Sequence, residues 1–511
     1  MPTGPGRQAL DSDGPDVHKT PDGDKAKGPT DPVDFATGRM YLPQTDLVLP
    51  GTLPLVFTRR AESGYTAGRW FGPSWASTID QHLEIDAEGV VLVSEDGLLV
   101  AYPHPAPGIP VLPATGPRHP LGRTPDGDWT LTDPATGRIR RFSPTAGWDG
   151  EGDGLAPIAQ LEDRNGNLIT FEYDHAGTPL GITHCSGYHL RFDTAEGRVT
   201  ALHLTGGPRV LTYGYTDGNL TEVTNSSGLP LQLAYDDRGR ITSWTDTNGS
   251  RYDYAYDDRD RCIAEGGIEG HLALTLTYDT RDPETGHRVT TVTTVTTADG
   301  HARRYVIDDH CRVVAEIDPL GAVTRYQYDS AGRVISRTDP LGATSLQEYD
   351  EAGRITRSIR PDGRTAGTEY DELGLPVRVA NADGTIIRQA FDERGNRTSL
   401  TTSAGAVTTF GYDERGHVVT VTNPLGAVTR FTTDAAGLPV TITDPLGATS
   451  RFERDAFGRP VRVTDPLGGV RPWSGPRRAV PPAGWTRTAP SRCGRTTARA
   501  TAPPSPIRQA G

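Results

Sequence analysis

The sequence predicts an all-β protein of repeated β-hairpins forming a curved or spiralling sheet, preceded by a small β-domain. Three observations predict it. Tyr-Asp recurs every 21 residues at Tyr328-Asp329, Tyr349-Asp350, Tyr370-Asp371, Phe391-Asp392 and Tyr412-Asp413, with weaker copies at Thr433-Asp434 and Arg454-Asp455. Asp318-Pro-Leu-Gly321, Asp339-Pro-Leu-Gly342, Asn423-Pro-Leu-Gly426, Asp444-Pro-Leu-Gly447 and Asp465-Pro-Leu-Gly468 keep step with them. Between these turns the chain alternates apolar and polar residues, as in Val377/Val379, Val419/Val421 and Val440/Ile442. A fixed period without chemical residues marks an architecture, and period-two patterning marks strands with one covered face.

Taken in order, residues 1–30 are predicted to be disordered, because they are polar and hold no aromatic residue to bury. Residues 31–150 read as a β-rich domain with short strands and a core that includes Trp70, Phe71 and Trp75. Residues 151–470 form the array, looser up to Tyr278-Asp279 and strict from 308. An eight-residue insertion between Asp279 and Asp308 predicts a longer hairpin.

Within the array each repeat is a hairpin plus a return turn, with Val, Ile, Thr and Tyr in the strands and Asp, Pro and Gly between them. The structural residues are Tyr328, Asp329, Gly332, Tyr349, Asp350, Gly353, Tyr370, Asp371, Gly374, Tyr412, Asp413 and Gly416. Residues before the glycines drift while Gly stays, as a left-handed backbone position requires. The phase-locked aromatic residues predict a cross-strand ladder of stacked rings.

Composition excludes several functions. The net charge of −13 hides a split: residues 471–511 hold eight arginines and no acid, leaving 44 basic and 65 acidic groups, a net of −21, on residues 1–470. An acidic body is a poor nucleic-acid partner. No apolar run reaches the roughly 20 residues that span a membrane, and the N-terminus shows no secretory signal peptide. Cys185, Cys262, Cys311 and Cys493 stand far apart, with no disulfide or zinc pattern. Cys311 occupies the place of a turn glycine. His184 and Cys185, with His189 nearby, point to opposite faces of a strand, and His301, His310 and Cys311 fare no better as ligands, so no metal or cofactor is expected. No carboxylate pair, nucleotide loop or catalytic motif stands out, and no catalytic residue is assigned.

The Asp31-Pro-Val-Asp start, the Gly68-Arg-Trp-Phe-Gly-Pro-Ser-Trp75 stretch and the Tyr-Asp repeats with their Gly-Arg and Asp-Pro-Leu-Gly turns resemble bacterial Rhs (YD-repeat) proteins. Residues 31–150 are similar to the domain of unknown function that precedes such repeats. The resemblance covers about residues 31–470. It implies a strip of hairpins coiled into a hollow shell, related to that of teneurins, which encloses a C-terminal toxin. The chain is then a structural and delivery scaffold rather than an enzyme, made in the cytoplasm and exported by specialised machinery. Its partners are the remaining shell and toxin portions. A second reading is a cell-surface protein whose exposed tyrosines bind glycans; a third, disfavoured, is an enzyme acting on polysaccharide. Two features depart from the family: no terminal shell motif where the chain cuts itself, and no toxin, follows Gly469. After that glycine the period fails, and residues 471–511 read as a disordered Arg/Pro/Ala-rich tail. A frameshift that truncates a longer protein is the expectation; a flexible linker or a basic binding tail are the alternatives.

Overall fold

The computed structural model describes residues 4–28, 32–145, 147–148, 152–281 and 288–472. Expectations for residues 473–511 lie outside the described residues. The molecule is all-β apart from one nine-residue helix, α1 (Pro5–Asp13), and a short 3-10 turn at Ile268–Gly270.

A small antiparallel sheet comes first: β1 (Tyr41–Leu49), β2 (Leu55–Glu62) and β3 (Trp75–Ser77). Then β4 (His82–Asp86), β5 (Gly89–Val93) and β6 (Leu99–Tyr102) form a meander. Next come β7 (Leu121–Arg123), β8 (Trp129–Thr132), β9 (Ile139–Phe142) and the long β10 (Gly154–Glu162). β10 joins two systems: Gly154–Pro157 pair with β4, while Ile158–Glu162 pair with β9. Strand pairing therefore runs across residue 150, where the sequence suggested a domain boundary. From β10 each strand pairs antiparallel with the next as far as Val470–Pro472, which pairs with Pro460–Thr464. The insertion lengthens the strands Leu274–Arg281 and Arg288–Thr297, which pair with each other.

The residues 32–102 that hold the small sheet lie against one face of this strip. Leu53, Asp46, Phe57, Trp75, Gly38 and Phe35 meet His184, Tyr213, Phe192, Tyr235, Tyr278 and Tyr305 in turn. Those partners lie on strands from Pro179–His184 to Ala302–Ile307. Twelve strands at roughly 4.8 Å spacing would extend about 50 Å if flat. A domain of about 70 residues has a radius of gyration near 11 Å. The strip therefore curves around the domain, and the shared core sits between them.

Arg59 anchors the join. It is 1 % exposed, and its Nε and Nη2 donate to Asp46 at 2.5 and 2.8 Å. Phe71, Trp75 and Tyr213 surround its guanidinium at 5.3, 4.9 and 5.0 Å. Tyr213, from the strip, also donates to Asp46 at 2.7 Å.

Residues 4–28 differ from the expected disorder. Glu84 accepts the backbone N–H groups of Gly6 and Arg7 at 2.9 and 2.8 Å, capping α1 from another element. Arg7 grips Asp86 with two hydrogen bonds, Arg39 holds Asp13, Arg60 holds Asp22, and Lys25 sits between Asp34 and Glu62. Ala9 and Leu10 complete a second small core with Tyr65, Val91, Val93 and Leu99. Low apolar content misled the sequence reading, because this segment docks chiefly through paired charges.

Candidate functional site

Among the described residues no single pocket dominates, so the working parts are the repeat unit, the strip's edges and its faces. In each strict repeat the Tyr-Asp turn is tied from within. Asp329 Oδ1 accepts the N–H groups of Ala331 and Arg333, both at 2.9 Å, and Oδ2 accepts Arg333 Nε at 2.7 Å. Asp350 binds Arg354 in the same way. Asp371 takes Leu375 N at 2.8 Å, and Asp413 takes Arg415 N and His417 N at 2.9 Å. Gly332, Gly353, Gly374 and Gly416 have φ of 80, 87, 80 and 76°, the left-handed region that favours glycine. A β-bulge precedes each turn, as at Gln327/Tyr328.

The tyrosines do not form the expected ladder of rings. Each hydroxyl donates to a carbonyl 15 residues earlier: Tyr328 to Val313 at 2.7 Å, Tyr349 to Val334 at 2.8 Å, Tyr370 to Ile355 at 2.9 Å and Tyr412 to Arg397 at 3.0 Å. The arginine after the left-handed residue of the previous turn lies on the ring. Arg312, Arg333 and Arg354 stand 4.9, 4.7 and 4.5 Å from the rings of Tyr328, Tyr349 and Tyr370. The reason is spacing. A 21-residue period is two strands, so equivalent rings stand roughly 9.6 Å apart, too far to stack. An arginine fills the gap, bound to its turn Asp on one side and to the ring on the other.

Successive turns of a meander lie on alternate edges. One edge carries the Tyr-Asp turns and the other the Asp-Pro-Leu-Gly turns with their earlier equivalents. Late Tyr-Asp turns sit on the early part of the opposite edge. Arg164 Nη2 donates to Leu373 O at 3.0 Å, across 209 residues. Asn165 and Asn396 exchange hydrogen bonds of 3.0 and 2.9 Å across 231 residues. Asn167 Nδ2 donates to Arg415 O at 3.0 Å, across 248 residues. Farther along, Thr52 N donates to Ala436 O at 2.9 Å, Gly458 lies against Tyr188 and Pro50, and Ala456 lies against Gly207. The strip thus completes a coil and stacks its second turn, edge on edge, against the first.

Sequence reasoning missed this contact, although a signal exists. The residue after the left-handed turn position is Arg at 240, 261, 312, 333 and 354, but Leu375, Asn396, His417 and Leu438 at four turns that meet the earlier coil, with Arg459 returning at the fifth. His417 is 4 % exposed. At four of these five contact turns the repeat lacks the arginine; at the last, Arg459 lies on the ring of Phe457 instead.

The two faces of the late strip differ. Cross-strand partners share a face, and the face that covers the small domain at Tyr305 continues through Leu400, Phe410/Val421, Phe431/Ile442 and Phe452/Val463. All seven are half-buried, and nothing in the described residues lies over them as the small domain lies over the earlier strands. The opposite face carries ion pairs such as Glu348–Arg357, Glu369–Arg378 and Glu453–Arg462.

Of the metal candidates, Cys185 Sγ lies 3.8 Å from His184 Nδ1, on the same side rather than on the opposite faces expected of a strand, because the chain turns at this point. His184 Nε2 bonds Leu53 O at 2.8 Å and Nδ1 accepts Ser186 N at 2.9 Å, while Cys185 is exposed. His310 pairs with Asp16 at 3.1 Å. No cluster of three His, Cys, Asp or Glu with metal-site geometry occurs among the described residues. A cavity of about 140 Å³ beside Leu55 and Phe171 is rimmed by polar groups that meet one another, Arg140 with Glu95 at 3.7 Å and His119, whose pKa burial lowers, with Asp133 at 3.9 Å.

Comparison with known proteins bears on this geometry. Residues 30–102 match the model of a domain of unknown function, DUF6531. Residues 235–271, 308–344, 349–386, 391–429 and 434–470 match the RHS Repeat model. The chain is 30 % identical over 214 residues to double-stranded DNA deaminase toxin A of Burkholderia cenocepacia (strain H111), spanning 40 % of this chain and 15 % of that protein. A crystal structure of TcdB2-TccC3-TEV aligns with TM-score 0.42 and 12 % identity over 82 % of this chain and 26 % of its own. A Photorhabdus luminescens Tc holotoxin pore aligns with TM-score 0.37 and 12 % identity over 80 % and 26 %. The chain therefore spans a small part of the relatives it matches. On its matched repeats and the domain before them, the chain belongs to the Rhs-repeat proteins.

Proposed function

We propose that this chain is a structural and delivery scaffold, a segment of shell wall that encloses a polypeptide cargo and does no chemistry of its own. The observation that carries this reading is the asymmetry of the late strip: a half-exposed apolar face on the side where the small domain sits, and a charged face on the other. A coiled strip with that asymmetry is a wall, wet outside and able to hold apolar side chains within. The relative named as a DNA deaminase toxin supports a toxin as the cargo, and the family resemblance supports export by dedicated machinery with the rest of the shell as partner. Glycan binding has less support, because the tyrosines that would stack on sugars lie half-buried beneath arginines with their hydroxyls engaged.

Two measurements test the proposal. Single-particle microscopy of the purified chain is expected to show a coiled wall around an open space; a straight ribbon would overturn it. A flexible reporter fused behind residue 511 of the full chain is expected to resist added protease better than the free reporter. Equal cleavage in both would count against enclosure.

A further inference from the structure

Close-packed cores leave few voids that could hold a benzene ring, yet the cavity beside Leu55 has about that size, 140 Å³. Its floor is built for apolar contact. Cross-strand partners share a face, so Leu131, Arg140, Leu161 and Ile169 stand in one row, with Phe171 and Ile182 paired beside them. All six line the cavity, and Arg140 is the one charged side chain among them. Its guanidinium makes no hydrogen bond among the described residues, since Glu95 Oε1 stands 3.7 Å away. Arg138, two residues earlier, lines the same cavity, and its guanidinium has no hydrogen-bond or ion-pair partner among the described residues.

Asp133, the other acid of the lining, is taken up by its own turn, where it accepts Ala135 N at 2.9 Å and the Thr136 hydroxyl at 2.6 Å. Two guanidiniums and the Glu95 carboxylate therefore face the cavity without closing on one another. Gln81, 3 % exposed, lines it too. Its Nε2 donates to Thr78 O at 3.0 Å, which fixes the amide, and its Oε1 is buried with no partner. A second cavity of about 450 Å³ shares Val56, Glu95, His119 and Arg140 with the first, and Val56 is 38 % exposed, so the charged side is reached from solvent. A ligand that answers this lining carries a carboxylate for the guanidiniums, a cationic donor for Glu95 and Gln81 Oε1, and a compact apolar body for the floor.

We propose that this cavity binds a free α-amino acid with an apolar side chain. The carboxylate lies on Arg138 and Arg140, the ammonium at Glu95 and Gln81 Oε1, and the side chain on Leu131, Ile169 and Phe171. The site lies among residues 54–182, where the first domain joins the strip, and it stands whether or not the strip encloses a cargo.

Isothermal titration calorimetry of the full chain with L-leucine and L-phenylalanine is expected to show one site for at least one of them, with Kd of roughly 10 µM–1 mM, the range open to so small a ligand. L-glutamate and L-lysine, which would bury a charge on the apolar floor, are expected to bind at least about tenfold more weakly. So are N-acetyl-L-leucine, which lacks the ammonium, and L-leucine amide, which lacks the carboxylate, by about the same factor. Arg138→Gln is expected to weaken binding at least about tenfold. Arg138 has no partner in the fold, so the melting of this variant without ligand is expected to match the parent. Glu95→Gln is expected to narrow the preference for L-leucine over N-acetyl-L-leucine, a split that general loosening of the fold does not give. Absence of binding by both amino acids up to about 10 mM overturns the proposal. So does N-acetyl-L-leucine binding as tightly as L-leucine, which would make the cavity a site for apolar carboxylates, and so does an affinity that Arg138→Gln leaves intact.

Discussion

At Cys311 the backbone adopts φ 54°, in a turn whose counterparts in the strict repeats carry glycine. An L-residue in that region costs roughly 1–2 kcal/mol, so Cys311→Gly is expected to stabilise the local hairpin by about 1 kcal/mol. The reverse change supplies the control. Gly342 has φ 84° with open space where a Cβ would go, so Gly342→Ala is expected to cost about 1 kcal/mol through backbone strain alone. Hydrogen exchange of the flanking amides reads both, and equal protection in the parent and the two variants would contradict the account. The turn aspartates set the acid limit. Partial burial pushes Asp329 and Asp350 up, but hydrogen bonds and charge from Arg333 and Arg354 outweigh it and hold both carboxyls below their ordinary value. Asp392 and Asp455 are lowered in the same way by Asn396 and Arg459. A carboxyl depressed in the folded state contributes stability that is present above the unfolded pKa, near 3.9, and lost as pH falls through the folded value. The aspartates' share of the denaturation midpoint is therefore expected to be level from pH 7 to about 5 and to fall below about 4, on top of a decline below about 6.5 from His119 and His184, whose pKa burial lowers; a level midpoint down to pH 2.5 would contradict this.

Between elements, the join of the small sheet to the strip depends on a charge out of water. Arg59→Ala leaves Asp46 buried with only the Tyr213 hydroxyl as partner, and breaking a buried pair from one side costs roughly 3–5 kcal/mol. It is expected to loosen β1–β3 from the strip while the far repeats keep their protection, and chemical denaturation followed by tryptophan emission checks it through Trp75 and Trp70. This join shows what the sequence could reveal. Hairpins, turn glycines and the core residues Trp70, Phe71 and Trp75 were legible, because each follows from local periodicity or a large apolar side chain. Arg59 was not, since a buried arginine looks like a surface one until its aromatic neighbours are brought together from position 71 to position 213. The order of residues 4–28 was hidden for the same reason, its partners being charges far along the chain. The expected stack of tyrosines fails on geometry: a repeat of one hairpin is two strands, so equivalent rings stand roughly 9.6 Å apart.

For the whole molecule, the question is what keeps a long meander coiled. Curvature begins with the small domain, which gathers strands from Pro179–His184 to Ala302–Ile307 around itself. Beyond Ile307 no such former exists among the described residues, and the second coil takes its path from the edge it rests on. Farther along, Thr52 holds Ala436 and Phe457 packs on the shared core, but at the turns before them the edge contact is polar and thin: Arg164, Asn165 and Asn167 meet Leu373, Asn396 and Arg415 through four hydrogen bonds. Each is worth roughly 0.5–1.5 kcal/mol net, so together they rival the free energy of a local opening rather than that of global unfolding. Replacing Arg164, Asn165 and Asn167 together with Ala is therefore expected to free these turns from the first coil without unfolding their hairpins, while the contacts at Ala436 and Phe457 remain. Exchange should rise at the turns 392–396 and 413–417 while strands around the small domain stay protected. Unchanged exchange at those turns would mean that the twist of the strip alone sets the coil there.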